Sequence, residues 1–138
     1  MKKFFRLSTS LANGDIIQKI FLKGSVDLQK QQTLKSAVEI SGIGLHSGVD
    51  VKLTIKPAEI DSGIVFVRKD LSGNPKIHAI AKNVTSVLRA TTLEENGVKV
   101  FTVEHLMSAI NISGVDNCEI EMTAEGPPGL AGNSIDLR

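Results

Sequence analysis

Glu104 and His105 stand side by side in the stretch Thr102-Val103-Glu104-His105-Leu106-Met107. A carboxylate next to an imidazole is the pairing that metal-assisted hydrolysis uses. The imidazole holds the ion, and the carboxylate takes a proton from the bound water. Val103, Leu106, Met107 and Ile110 follow at i, i+3, i+4 and i+7, which predicts a helix with one apolar face. Thr102 is the predicted N-cap, its hydroxyl accepting a backbone N–H that the helix start leaves open. Glu104 and His105 then fall off the apolar face, in the first turn. There the helix dipole favours a charged carboxylate and a neutral imidazole, the form a metal needs. Glu-His pairs also occur at ordinary solvated helix starts, so the pair acquires meaning only from its setting.

Two further histidines are present, His46 and His78. His46 sits in Ser41-Gly42-Ile43-Gly44-Leu45-His46-Ser47-Gly48, where three glycines within seven residues mark a turn with unusual φ or close backbone approach. His78 lies in a short apolar–polar run and is read as structural or exposed. Cys118 is the single cysteine, so no internal disulfide forms, which fits a reducing compartment.

The elements that must position the Glu-His pair are mainly strands. Gln31–Ile40 reads as one strand. Val49–Lys56 alternates apolar and polar residues without a fault, the mark of a half-buried strand, and Pro57 ends it. Gly63–Arg68 is a continuous apolar run of strand length, predicted to be central and covered on both faces. Lys76–Ala81 is a further short strand. Val87–Glu95 and Val98–Thr102 flank Asn96-Gly97, the strongest short hairpin signal, because both turn residues need positive φ. Gly114 is the predicted residue that ends the helix. Cys118–Met122 alternates again with Cys118, Ile120 and Met122 inward, and Glu125–Gly132 is rich in turn residues. About six strands and one helix of roughly 11 residues make an α+β domain: two layers, a mostly antiparallel sheet with one clear helix packed on it. So short a helix leaves part of one sheet face open, and that face is expected to be apolar and to invite self-association.

Composition sets the outer limits. The chain has 138 residues, 41% hydrophobic and 22% charged, which suits one packed domain resting on aliphatic side chains. A net charge of +1 gives no nucleic-acid footprint. No apolar run approaches the ~20 residues of a membrane span. Residues 1–29 are set apart as a leader. Residues 1–14 carry Lys2, Lys3 and Arg6 and no acid, the composition of a mitochondrial transit peptide or of a poorly defined leader, and Ile16–Phe21 hints at a short amphipathic helix. The domain proper is 30–138.

Five blocks, read together, carry a resemblance. They are Gln32-Thr33-Leu34, Gly42–Gly48, Thr91-Thr92-Leu93, Thr102–Leu106 with Ser108-Ala109, and Gly114-Val115-Asp116-Asn117. In this order and spacing, from Gln32 to Met122, they resemble the N-terminal domain of the zinc-dependent UDP-3-O-acyl-N-acetylglucosamine deacetylases of lipid A biosynthesis. The resemblance implies the first domain of a two-domain fold, a zinc cofactor, a UDP-linked acylated amino sugar as substrate, and a cytoplasmic setting. It implies that His105 is a zinc ligand and Glu104 the general base. It places His46 at the active-site mouth, and Ala90, Thr91, Thr92 and Leu93 along the substrate passage. In that family the second domain adds a His and an Asp to the zinc and a catalytic His, so this chain is expected to need such a partner domain. Where the family reads Asp-Gly-Ser-Ala, this chain has Ala131 in place of the Asp, within Gly126–Ser134. The domain is therefore expected to be truncated at its C-terminal end. The alternative expectation is an inactive fragment that acts, if at all, as a partner-binding module through its open face.

Overall fold

The computed structural model describes residues 3–6 and 29–129. In chain order the strands are β1 Lys3–Arg6, β2 Gln29–Gln32, β3 Val38–Ile43, β4 Asp50–Pro57, β5 Ile64–Arg68, β6 Lys76–His78, β7 Val84–Ser86, β8 Thr92–Glu95 and β9 Val98–Val100. The helix α1 Glu104–Ile112 and the last strand, β10 Cys118–Met122, follow. The described strands form a five-stranded sheet in the order β3-β4-β10-β5-β6, a three-stranded sheet β7-β8-β9, and a ribbon β1-β2. All pairings are antiparallel except β10 with β5. The architecture is α+β, as the residue pattern predicts.

The alternating strands supply the core. β10 lies mid-sheet, with Cys118, Ile120 and Met122 fully buried between β4 and β5. They meet Leu53 and Ile55 of β4, Phe66 of β5, and Val103, Leu106 and Ile110 at the helix. Leu93 and Val100 join the same cluster, so one core serves the helix and both larger sheets. Each fully buried side chain of this size contributes about 1.5–3 kcal/mol, which explains why a nine-residue helix, too short to hold alone, is stable here.

The helix ends as predicted. Gly114 has φ +73°, its N–H donates to the Asn111 carbonyl at 3.0 Å, and the Val115 N–H donates to Ile110 at 3.2 Å. This pair of bonds is the Schellman arrangement. The Asn96-Gly97 turn also forms as read, with φ of 51° and 78° and Glu95 opposite Val98.

Four expectations need correction. The helix starts at Glu104 with Val103 at the N-cap position and no side-chain cap, so Thr102 does not cap it. Gln31–Ile40 is two strands, broken where Thr33 turns its hydroxyl to the Asn117 carbonyl (2.5 Å) and accepts the Ala58 N–H (3.0 Å). Strand β8 begins only at Thr92, and Val87 and Leu88 are 70% and 92% exposed in the loop before it. Lys3–Arg6, set apart as leader, pairs with Gln29–Gln32. The suggested helix at 16–21 lies outside the described residues.

The open face of the large sheet is not apolar. Lys52 pairs with Glu39, Lys56 with Glu121, and Lys76 with Glu119, at 2.7–2.9 Å. Val65 and Val67 are buried there, with Glu119, Glu121, Lys76 and His78 as cross-strand neighbours. The ion-paired face offers little apolar surface for self-association. Exposed apolar side chains sit in loops and at edges instead, among them Leu45, Val49 and Leu88. Among the described residues no helix is long and apolar enough to cross a membrane.

The two larger sheets are tied by Arg68. Its guanidinium, nearly buried, donates to both oxygens of Asp70 (2.9 and 2.7 Å) and to the Lys99 carbonyl of β9 (2.7 Å). The Arg68 hydrogen bond holds the Asp70 carboxyl below its usual range. Burial pushes the Cys118 thiol the other way, from 9.0 up to about 12. The folded state therefore keeps a proton that the unfolded chain releases above pH 9. Stability from this group is complete below that pH and falls as pH rises toward 12, by at most about 1.4 kcal/mol per unit. Denaturant melts of wild type and Cys118→Ala between pH 8 and 11 should show the steeper loss in wild type. Parallel slopes would contradict it.

Candidate active site

The Glu-His pair is positioned by two contacts made by the loop before β8. The Thr91 N–H donates to Glu104 Oε2 at 3.0 Å, and the Val103 N–H donates to the Thr91 carbonyl at 3.3 Å. The loop thus clasps the helix start and aims the carboxylate. Glu104 is half-buried and His105 is exposed, so the imidazole is accessible beside a held carboxylate. The core face formed by Val103, Leu106 and Ile110 fixes the helix rotation that makes this so.

Beside the helix start lies a cleft of about 270 Å3, lined by Gly44, Leu45, His46, Ser47, Ala90, Phe101, Thr102, Glu125, Gly126 and Pro127. The glycine-rich loop forms one wall. Gly44 begins its turn, with its N–H on the Val49 carbonyl (2.8 Å), and a side chain there would collide with Ser47 Oγ. The opposite wall is held by the Phe101 N–H on the Glu125 carbonyl (2.8 Å). Gly126 lies against the Phe101 carbonyl, and a Cβ would come within 3.1 Å of it.

The candidate residues therefore divide. His46 and Ala90 line the cleft, and Thr91 holds Glu104. Thr92 and Leu93 are buried in β8, with Leu93 in the core, so they do not line the cleft. His78 is a surface residue whose backbone N–H and Nδ1 both meet Glu95 Oε2, at 2.7 and 2.9 Å. These contacts, the backbone one first, hold the Glu95 carboxyl below its usual range. The cleft residues missed by the residue pattern are Phe101, Thr102 and Glu125–Pro127. The glycine next to two prolines was the available signal for the last of these, since it marks close backbone approach.

Thr102 is the strained residue of the site. Its φ is +56°, a left-handed conformation that a β-branched residue adopts at a cost of about 1–3 kcal/mol. Its Oγ1 is buried and has no hydrogen-bond partner among the described residues.

Zinc needs about three protein ligands at a catalytic site. Among the described residues no three His, Cys, Asp or Glu side chains converge to hold a metal ion. By itself, this part of the chain does not make a zinc site.

Fold and site together define an α+β domain that displays an acid–imidazole pair at a helix start beside a cleft. Residues 31–137 match the family LpxC, UDP-3-O-acyl N-acetylglycosamine deacetylase, and the chain belongs to that family. A relative from Hahella chejuensis, UDP-3-O-acyl-N-acetylglucosamine deacetylase, is 49% identical over 105 residues, 76% of this chain and 35% of the relative. One of the same name from Marinobacter nauticus is 47% identical, over 76% of this chain and 34% of its own length. The Bifunctional enzyme LpxC/FabZ of Bacteroides thetaiotaomicron is 47% identical, over 76% of this chain and 23% of its own. The chain spans about a third of the length of the first two.

Proposed function

We propose that this chain supplies the first domain, residues 30–138, of a cytoplasmic zinc-dependent deacetylase. The reaction is hydrolysis of the N-acetyl group of a UDP-3-O-acyl-N-acetylglucosamine in lipid A biosynthesis. The observation that carries the reading is the held Glu104 carboxylate with His105 exposed beside it. His105 would be one zinc ligand, and the remaining ligands would come from a second domain. Glu104 is the proton acceptor. One of its oxygens is occupied by the Thr91 N–H, which fixes the carboxylate and leaves the other to take the proton. His46 and Ala90, in the cleft wall, would face the substrate.

The test is reconstitution. The purified chain is mixed with the part of the Hahella chejuensis relative that it does not span, with zinc, and acetate release from a UDP-3-O-acyl-N-acetylglucosamine is followed. Turnover by the mixture and by neither part alone is the expected result. A mixture without turnover would sink the reading. In the active mixture, His105→Ala should lower bound zinc to well under one ion per complex, read by metal analysis. Full zinc occupancy in that variant would remove His105 from the ligand set.

A further inference from the structure

We infer that the Thr102 hydroxyl is a ligand-binding group, and that the cleft it lines receives the uncharged, hydroxyl-bearing sugar ring of the ligand and not its phosphates. This deepens the proposed deacetylase reading and rests on it. Three observations carry it. Thr102 Oγ1 is buried at the cleft without a partner among the described residues, although buried hydroxyls in folded proteins are nearly always bonded. The same residue holds φ +56°, a conformation that glycine would adopt without strain and threonine does not. An unsatisfied hydroxyl on a strained backbone, beside the Glu104-His105 pair, is the pattern expected where stability is surrendered to function. The lining supplies the chemistry. It contains Glu125 and no Lys or Arg, so a diphosphate would meet repulsion there. Phe101 offers an apolar surface, and His46, Ser47 and Thr102 offer hydrogen-bonding groups, a mixture suited to a sugar's C–H face and its hydroxyl or amide oxygens. The residue pattern assigned Thr102 to helix capping, a role that Val103 occupies instead.

The experiment is an amide-resolved NMR titration of the full 138-residue chain with N-acetylglucosamine and, separately, with UDP. The sugar should shift the amides of Gly44–Ser47, Phe101 and Thr102, and UDP should leave them in place. Thr102→Val keeps the shape and removes the hydroxyl. It should weaken sugar binding about tenfold, the effect of one lost hydrogen bond, and Thr102→Ser should restore binding to within about threefold of wild type. The thermal midpoint of Thr102→Val should equal or exceed that of wild type, because no bond inside the fold is lost. Three results would each overturn the inference: no sugar-induced shifts at the cleft, equal affinity in Thr102→Val, or a lowered midpoint showing that the hydroxyl is bonded within the fold. Sugar binding at the cleft without turnover in the reconstituted mixture would sink the deacetylase reading and leave the binding result standing.

Discussion

Glu104→Gln is expected to cut turnover of the reconstituted enzyme by about 10²–10⁴, with zinc content unchanged. The substitution is chosen because it preserves almost everything else. Glutamine has the same length, and its amide oxygen can still accept the Thr91 N–H that now lies 3.0 Å from Glu104 Oε2. The clasp between the loop and the helix start should therefore survive, and the helix stays anchored by Leu106 and Ile110. What disappears is the capacity to take up a proton. The loss should fall on kcat and kcat/KM alike, because the interaction is made only as the proton moves. Turnover within threefold of wild type would end the role of Glu104 as base. Reduced turnover together with lost zinc would make it a metal-holding residue instead.

Asn117→Leu is expected to destabilise the domain by about 3–5 kcal/mol, the largest stability effect predicted here. Asn117 is 2% exposed and joins three segments. Its Oδ1 accepts the Gly63 N–H (2.8 Å), its Nδ2 donates to Gln31 Oε1 (2.8 Å), and its carbonyl accepts the Thr33 hydroxyl (2.5 Å). Gln31 continues the network, donating to Asp61 Oδ1 at 2.6 Å and accepting the Asp61 N–H at 3.0 Å. Leucine fills a similar volume, so cavity formation is a small part of the effect. The cost comes from orphaning the Gly63 N–H and one Gln31 contact in a buried setting. Chemical denaturation should show the loss as a lower midpoint at unchanged slope. A change under 1 kcal/mol would mean that water replaces these bonds, leaving the network dispensable.

This network also gives a physical meaning to two of the sequence blocks. Gln32-Thr33 and Asp116-Asn117 are more than 80 residues apart, yet Asp116 Oδ2 accepts the Gln32 N–H at 2.9 Å and Thr33 bonds to Asn117. Their match to the deacetylases reflects a structural joint that brings the start of the domain to the start of β10. The blocks that point toward chemistry are the others: the glycine loop around His46, Thr91, and the Glu104-His105 turn.

Much of the fold was legible because its signals are local. The alternation of Val51, Leu53 and Ile55, and of Cys118, Ile120 and Met122, follows from the two-residue period of a strand. The spacing of Val103, Leu106 and Ile110 follows from the helical period. The Asn96-Gly97 and Gly114 turns follow from the need for positive φ. The pairing of Glu104 with His105 was also local, and the family could be read from it and its companion blocks. What only the tertiary structure decided depends on contacts between distant segments. Thr33 breaks a strand because Asn117 is there to receive its hydroxyl. The sheet's open face is ion-paired because Lys56 and Lys76 fall beside Glu121 and Glu119 across strands that the chain connects only through long loops and the helix. Thr102 leaves the cap position because the Val103 N–H is drawn to Thr91, and the cleft exists because Glu125–Pro127 returns against Phe101. Periodicity encodes which way a side chain faces along its own element, whereas partners that are far apart in sequence are chosen by the packing of the whole chain.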